Sequence, residues 1–78
     1  MTKVYLPVHL AVNEQGTIRP LSLAWENGTI YMIDKVLDRR PAASTKVGGC
    51  GMRYTVRIQG KERYLFEEEG RWFVEGKS

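Results

Sequence analysis

The sequence predicts an all-β domain of about six short antiparallel strands arranged as a meander. Apolar and polar residues alternate over several segments, which is the period of half-buried strands. Turns that contain glycine or asparagine separate these segments, and no window of about eleven residues follows the 3.6-residue period of a helix. Because a sheet this small must curl to bury one face, we expect a small curled sheet or an SH3-like open barrel.

The length and composition indicate a single ordered domain over residues 1–78. The chain is 42% hydrophobic and 27% charged, which fits a globular domain better than a disordered segment. Its only cysteine, Cys50, cannot form an intramolecular disulfide. The first residues lack the apolar segment of a secretion signal, and no apolar run approaches the roughly 20 residues of a membrane helix. We therefore expect a cytoplasmic protein without a membrane partner.

Residues 3–12 alternate without a break and predict the first strand. Pro7 cannot donate a main-chain hydrogen bond, so this strand is expected at a sheet edge or with a bulge. Residues 13–16 predict a turn that ends in glycine, which adopts a positive φ without steric cost. A second strand is predicted over 17–25, where Pro20 again indicates an edge or an irregularity.

The dipeptide Asn27-Gly28 predicts a hairpin, because it suits the type I′ turn with positive φ at both central residues. A third strand is predicted over 29–37. Its alternation slips by one residue before Val36, and a bulge near Asp34-Lys35 would return Val36 to the core side.

Three further strands are predicted, over residues 52–58, 62–67 and 71–75. A two-residue turn at Gly60-Lys61 separates the first two of these strands, and a turn over 68–70 separates the last two. Their short connections favour antiparallel neighbours.

The predicted core combines the apolar faces of these strands. In the strand over 62–67, Tyr64 and Phe66 share one face and Leu65 lies on the other, and we assign Phe66 to the core. Most aromatic rings are assigned to packing; Tyr5 and Phe73 lie opposite the main apolar face and are the better candidates for an exposed aromatic platform. The predicted core residues are Val4, Leu6, Val8, Leu10, Leu21, Leu23, Trp25, Tyr31, Ile33, Val36, Tyr54, Val56, Ile58, Phe66 and Trp72.

Residues 39–53 follow neither the strand nor the helix period, and they carry four basic residues and no acid. We expect a long connecting loop over about 39–52, because a long connection in a small domain often has a function. The glycine-rich residues 48–51 could present main-chain N–H groups to an anion. The alternative is a plain connection whose glycines allow a sharp return into the next strand.

Positive charge is concentrated between residues 39 and 63. This region holds seven basic residues and one acid, a net charge of +6, whereas the rest of the chain has a net charge of −3. A basic stripe of this kind complements phosphates, although a solvated strand surface also carries Arg and Lys. The candidate residues for binding nucleic acid or another anion are Arg39, Arg40, Lys46, Arg53, Arg57, Lys61 and Arg63.

Catalysis has little support in the sequence. His9 is the only histidine and Cys50 the only cysteine, so they are the only option for a nucleophile and its base. No residues have the spacing of a metal site, and no motif indicates a cofactor. We therefore predict a protein that is not an enzyme.

A series of aromatic and apolar segments extends over roughly residues 18–75. The segments are RPLSLAWENG (19–28), YMIDKVLD (31–38), RYTVRI (53–58), YLF (64–66) and RWFVE (71–75). They resemble a group of short, uncharacterised bacterial proteins, mostly from Firmicutes. Their layout is similar, more loosely, to a small all-β domain found alongside Y-family translesion polymerases. The resemblance implies an all-β fold and a bacterial cytoplasmic setting, and by analogy an association with nucleic acid.

These observations favour a non-enzymatic binding module that contacts the phosphate backbone of nucleic acid through residues 39–63. The alternative is a protein–protein interaction adaptor or a small homo-oligomer. An exposed edge strand over 3–12, or the acidic turn over 67–69, would then meet the partner. We expect a monomer or a weak homo-oligomer that holds no cofactor.

Overall fold

The computed structural model describes residues 2–42 and 51–76, and every regular element in these two ranges is a β-strand. The strands are β1 (Thr2–Tyr5), β2 (Val8–Val12), β3 (Ile18–Ala24), β4 (Ile30–Met32), β5 (Lys35–Ala42), β6 (Gly51–Ile58), β7 (Lys61–Glu68) and β8 (Arg71–Gly76). The all-β prediction is confirmed, with more strands than the sequence predicts.

The strands form two antiparallel sheets and not a closed barrel. The large sheet has the strand order β1-β8-β7-β6-β5, and the small sheet has the order β2-β3-β4. Apolar side chains of both sheets belong to one core, which lies between the two layers. We call the opposite, outward side of the large sheet its outer face.

The predicted strand over 3–12 is in fact two strands, because the chain changes sheets at Leu6 and Pro7. The Leu6 N–H donates to the Trp72 carbonyl of the large sheet at 3.0 Å, and the Pro7 carbonyl accepts from the Ala24 N–H of the small sheet at 3.0 Å. Both halves are edge strands, as the proline predicts.

The predicted strand over 29–37 divides in the same way. The Ile33 N–H donates to the Leu21 carbonyl in the small sheet at 2.9 Å, and the next N–H, of Asp34, donates to the Arg57 carbonyl in the large sheet at 2.8 Å. The chain therefore connects the two sheets along both sides of the core.

Two ladders contain an irregularity. Between β2 and β3 the register shifts at His9 and Leu10, where Leu21 is left without a partner on β2. The irregularity predicted at Pro20 is present, although β3 is the central strand of the small sheet and not an edge. Between β5 and β6 the register shifts around Leu37, beyond the predicted bulge at Asp34-Lys35.

The core is built on residues that alternate along β6. Its buried members are Leu6, Leu23, Tyr54, Val56, Ile58, Leu65 and Trp72. Partly buried apolar residues pack around them, namely Val4, Val8, Leu10, Tyr31, Ile33, Val36, Met52 and Val74. Most of the predicted core is therefore found, and its centre lies on the large sheet.

Some predicted burial is wrong. Leu65, assigned to the outside, is 1% exposed in the core, whereas Phe66 is buried on the outer face. Trp25, assigned to the core, is 37% exposed, and Leu21 is half-buried outside the core cluster. Phe73 does lie on the outer face, but it is 1% exposed and is no open platform.

The type I′ turns lie at unexpected places. Gln59 and Gly60 both have positive φ, at 52° and 77°, and so do Glu69 and Gly70, at 52° and 81°. Gly28 has a φ of 88°, whereas Asn27 does not have a positive φ. The Asn27 side chain instead accepts a hydrogen bond from the Thr29 N–H at 3.0 Å, so the type I′ prediction is wrong there.

The predicted loop over 39–52 is shorter than expected. Residues 39–42 belong to β5 and residues 51–53 to β6, and the ladder pairs Arg40 with Arg53. The intervening residues 43–50 lie outside the described part of the chain, and with them the predicted site residue Lys46, Cys50 and most of the glycine-rich run.

Candidate functional site

The predicted basic stripe is divided between the two sides of the large sheet. Arg53 and Arg57 alternate with buried residues of β6 and lie on the outer face, and Arg40 pairs with Arg53 on that side. Lys61 and Arg63 pair with Ile58 and Val56, so they lie on the core-facing side at the end of β7.

Arg39 is separate from both groups. It pairs with the buried Tyr54 and is itself exposed on the edge strand β5. The six predicted residues that the structure describes therefore form an outer group of Arg40, Arg53 and Arg57, a core-facing pair of Lys61 and Arg63, and the isolated Arg39.

The outer face carries a row of aromatic and cationic residues across all five strands. Cross-strand pairing places Tyr5, Phe73, Phe66, Arg53 and Arg40 next to one another in that order. Since paired positions share a face, one side of the sheet changes from rings to guanidinium groups within a single row.

The aromatic part of this row is a packed second cluster. The rings of Phe66 and Phe73 stack at 5.2 Å with an angle of 10°, and Tyr5 tilts against Phe73 at 5.5 Å. The Lys3 Nζ lies 4.8 Å from the centre of the Phe73 ring. These contacts explain why Phe73 is buried although it points away from the core.

Two tyrosines of the outer face remain open to solvent, and an arginine packs on each. Tyr64 is 53% exposed and Tyr5 is 42% exposed. The Arg53 guanidinium lies 4.6 Å from the Tyr64 ring centre, and that of Arg71 lies 4.1 Å from the Tyr5 ring centre. These distances are those of cation–π contacts.

Only some of the described charged side chains on the outer face form ion pairs within the domain. Arg40 Nε lies 2.7 Å from Asp38 Oδ2, and Lys3 Nζ lies 3.3 Å from Glu68 Oε1. Within residues 2–42 and 51–76, no ion pair involves Arg53, Arg57 or Arg71. The Arg53 Nε is buried, and no described residue accepts its hydrogen bond.

The acidic turn has internal contacts of its own. The Gly70 N–H donates to Glu67 Oε2 at 2.6 Å, and Glu68 pairs with Lys3 as described above. Glu69 is exposed at the positive-φ position of the turn. Two of the three carboxylates therefore already have a partner within the domain.

A groove opens between the two sheets near the start of β7. Leu23, Ile58 and Leu65 form part of its floor, Trp25 and Tyr31 approach it from the small sheet, and Lys61 and Arg63 from the large sheet. The prediction that Trp25 belongs to the core rests on its sharing a face with Leu23, and the sequence does not show that the layer ends there.

The groove exists because β7 and β8 part from each other. Their ladder contains only Phe66–Phe73, Glu67–Trp72 and Glu68–Arg71. Beyond it β8 continues along β1, and β7 continues along β6. Among the described strands, residues 61–65 therefore have a ladder partner on one side only.

The other residues considered for chemistry are not brought together by the described structure. His9 is exposed on the edge strand β2, and Cys50 lies outside the described residues. In residues 2–42 and 51–76, no three His, Cys, Asp or Glu side chains are grouped as metal ligands. In the same residues, no helix has the length and apolar character needed to cross a membrane.

Comparison with known proteins adds no family to this description. No protein-family model, no curated protein and no solved structure matches the chain.

Proposed function

We propose that the protein is a non-enzymatic binding module that holds single-stranded nucleic acid on the outer face of the large sheet. The observation that carries this proposal is the pairing of an exposed tyrosine with an arginine at two places on this face, Tyr64 with Arg53 and Tyr5 with Arg71. Bases stack both on aromatic rings and on guanidinium planes, and neighbouring guanidinium groups bind phosphates.

The charges of this face support phosphate contacts without base-specific readout. Arg40 lies beside Arg53 in the ladder, and Lys35 lies beside Arg57. Like charges on directly paired positions repel each other, and an anion placed between them relieves that repulsion. Asp38 already pairs with Arg40, and Glu62 lies opposite Arg57 on β7. Arg53 has no ion-pair partner among the described residues, so it is the main anchor for a phosphate that lies beside Tyr64.

The test is fluorescence anisotropy with a labelled 12-nucleotide single strand of thymidines, in about 50 and 200 mM salt. If about three phosphates are contacted, the fourfold rise in salt lowers the affinity roughly 20-fold. Arg57→Ala and Arg53→Ala should each weaken binding and reduce the salt dependence. Arg19→Ala, an exposed arginine on the small sheet, is the charge-matched control. Binding that does not respond to salt would contradict the proposal.

The rival proposal is a protein-interaction adaptor or a small homo-oligomer. It is favoured by the edge positions of β1 and β2, each of which pairs with a single neighbouring strand. An extended partner could add to either edge. The acidic turn is the weaker candidate, because Glu67 and Glu68 have internal partners. If no nucleic acid binds at low salt, this rival remains.

A further inference from the structure

The groove beside β7 has one aromatic wall. Tyr31 of β4 and Trp25, which directly follows β3, contribute this wall, and Leu23 pairs with Tyr31 across the small sheet. Trp25 is 37% exposed, whereas the chain's other tryptophan, Trp72, is 5% exposed in the core. An open tryptophan over an apolar floor provides a flat surface for a ring.

The opposite wall is positively charged. Lys61 and Arg63 lie on the core-facing side of β7 and are both exposed. The acids that also reach the groove, Glu62 and Glu75, lie on the outer side of their strands. There Glu62 lies opposite Arg57 in the ladder of β6 and β7, and Glu75 lies opposite Lys3 in the ladder of β1 and β8. Neither acid forms an ion pair within the described residues. The acids are thus placed next to outer-face cations, and the inner wall keeps its two positive charges.

Main-chain groups also point toward the parting of β7 and β8. In an antiparallel strand, the N–H and C=O of successive residues point to alternate sides. The type I′ turn at Gln59-Gly60 makes Lys61 and Ile58 a hydrogen-bonded pair. The main-chain N–H and C=O groups of Lys61, Arg63 and Leu65 therefore point toward β6. The main-chain groups of Glu62 and Tyr64 therefore point away from β6, to a side where no described strand continues the ladder.

We propose that this groove binds one nucleotide of the same strand, with its base against Trp25 and Tyr31 and its phosphate on Lys61 and Arg63. This inference rests on the proposed function and extends it to the other side of β7. Tyr64 belongs to the outer face and also lines the groove, so a strand that leaves Arg53 and Tyr64 can turn over the edge of β7 into it. The groove, and not the open face, would then fix one base.

The first experiment measures tryptophan fluorescence while the unlabelled thymidine 12-mer is added. Because Trp72 is buried, quenching by the oligonucleotide reports on Trp25. We expect saturable quenching with the same midpoint as the anisotropy titration. Binding without any change in fluorescence would overturn the inference.

The second experiment compares variants of the groove with variants of the outer face. Stacking is worth about 1–3 kcal/mol per base, so Trp25→Leu should weaken binding roughly 5- to 150-fold. Lys61→Ala and Arg63→Ala should each weaken it roughly three- to tenfold. Arg19→Ala is again the control, and thermal unfolding verifies that each variant is folded. The two exposed basic variants keep the test valid if Trp25→Leu is unstable.

The outcomes separate this inference from the proposed function. If Arg53→Ala and Arg57→Ala weaken binding while the three groove variants do not, the outer-face proposal stands and the groove inference is wrong. If the wild-type protein does not bind the 12-mer at low salt, both are wrong. If an acidic peptide rich in phenylalanine quenches Trp25 and the oligonucleotide does not, the groove is a peptide site and the inference fails.

Discussion

At the scale of single residues, the large sheet buries apolar side chains on both of its faces. Val56 and Leu65 face the core, whereas Phe66 and Phe73 stack on each other on the outer face. Lys3 covers part of the Phe73 ring with its charged end. Adjacent residues of β7 therefore pack in different clusters, and each cluster is sensitive to different substitutions.

The contrast between Leu65 and Tyr64 tests this assignment. Leu65→Ala removes a core side chain that is 1% exposed and should lower the free energy of unfolding by about 2–5 kcal/mol. Tyr64→Ala removes a ring that is 53% exposed and should cost less than about 1 kcal/mol. Urea denaturation measures both, and Leu65→Val replaces Leu65→Ala if the latter does not fold. A larger loss for Tyr64→Ala would contradict the observed faces of β7.

The sequence already held the information that places Leu65. Any two-residue turn directly after Ile58 or Gln59 puts the odd-numbered residues of β7 on the same face as Ile58. This count also puts Lys61 and Arg63 on that face and separates them from Arg53 and Arg57. The alternation alone does not show which face of β7 meets the core, because the second cluster with Phe73 also buries Phe66 on the outer face.

At the scale of strands, β7 has two halves with different surroundings. Residues 66–68 lie between two neighbouring strands, whereas residues 61–65 pair with β6 alone. Sequence periodicity reports which face a strand buries, but it does not report where one of its neighbours leaves. The groove could therefore not be predicted from the pattern.

Hydrogen exchange of the main-chain amides can test this description of β7. The N–H groups of Glu62 and Tyr64 point away from β6 and should exchange roughly tenfold or more faster than those of Arg63 and Leu65. Two-dimensional NMR after transfer into D₂O measures each amide separately. Equal protection at all four amides would show that the ladder between β7 and β8 extends further.

The turn between β6 and β7 offers a second test at this scale. Gln59 has a φ of 52°, which costs most L-residues roughly 1–2 kcal/mol but costs asparagine less. Gln59→Asn should therefore raise the free energy of unfolding by about 0.5–1 kcal/mol. The control is Gln15→Asn, because Gln15 also lies in an exposed turn and its φ is not positive. Equal effects of the two substitutions would contradict the assignment of a type I′ turn.

The turn at Asn27-Gly28 is of a different type, because only its glycine has a positive φ. Its sequence suits a type I′ turn, but a glycine alone in the left-handed region also closes a wider turn, here through the Gly28 N–H and the Trp25 carbonyl at 2.9 Å. The asparagine then serves as a hydrogen-bond acceptor for Thr29. Turn chemistry thus located the hairpin correctly but did not determine its type.

At the scale of the whole molecule, the two sheets present different outward surfaces. The outer face of the large sheet holds Arg40, Arg53, Arg57 and Arg71, whereas the outward side of the small sheet presents the exposed Ile30 and Met32 beside Ala24 and Ser22. The basic segment 39–63 does not correspond to one of these surfaces, because Lys61 and Arg63 lie on the core-facing side of β7. The outer face also holds four acids, Asp38, Glu62, Glu68 and Glu75. The chain's two crossings between sheets are what separate these surfaces.

The pairing of β1 with β8 determines how the domain responds to mechanical force. The first and last described strands lie side by side, with Thr2 paired to Gly76 and Tyr5 to Phe73. A force applied at positions 2 and 76 pulls the two strands apart at one end of an antiparallel ladder, in the direction of its hydrogen bonds. These bonds therefore break one after another, and each bears the force alone. A low force between positions 2 and 76 should consequently be enough to separate β1 from β8. Under tension β1 would peel from β8 first, and Val4 would leave the edge of the core before Tyr5 leaves Phe73.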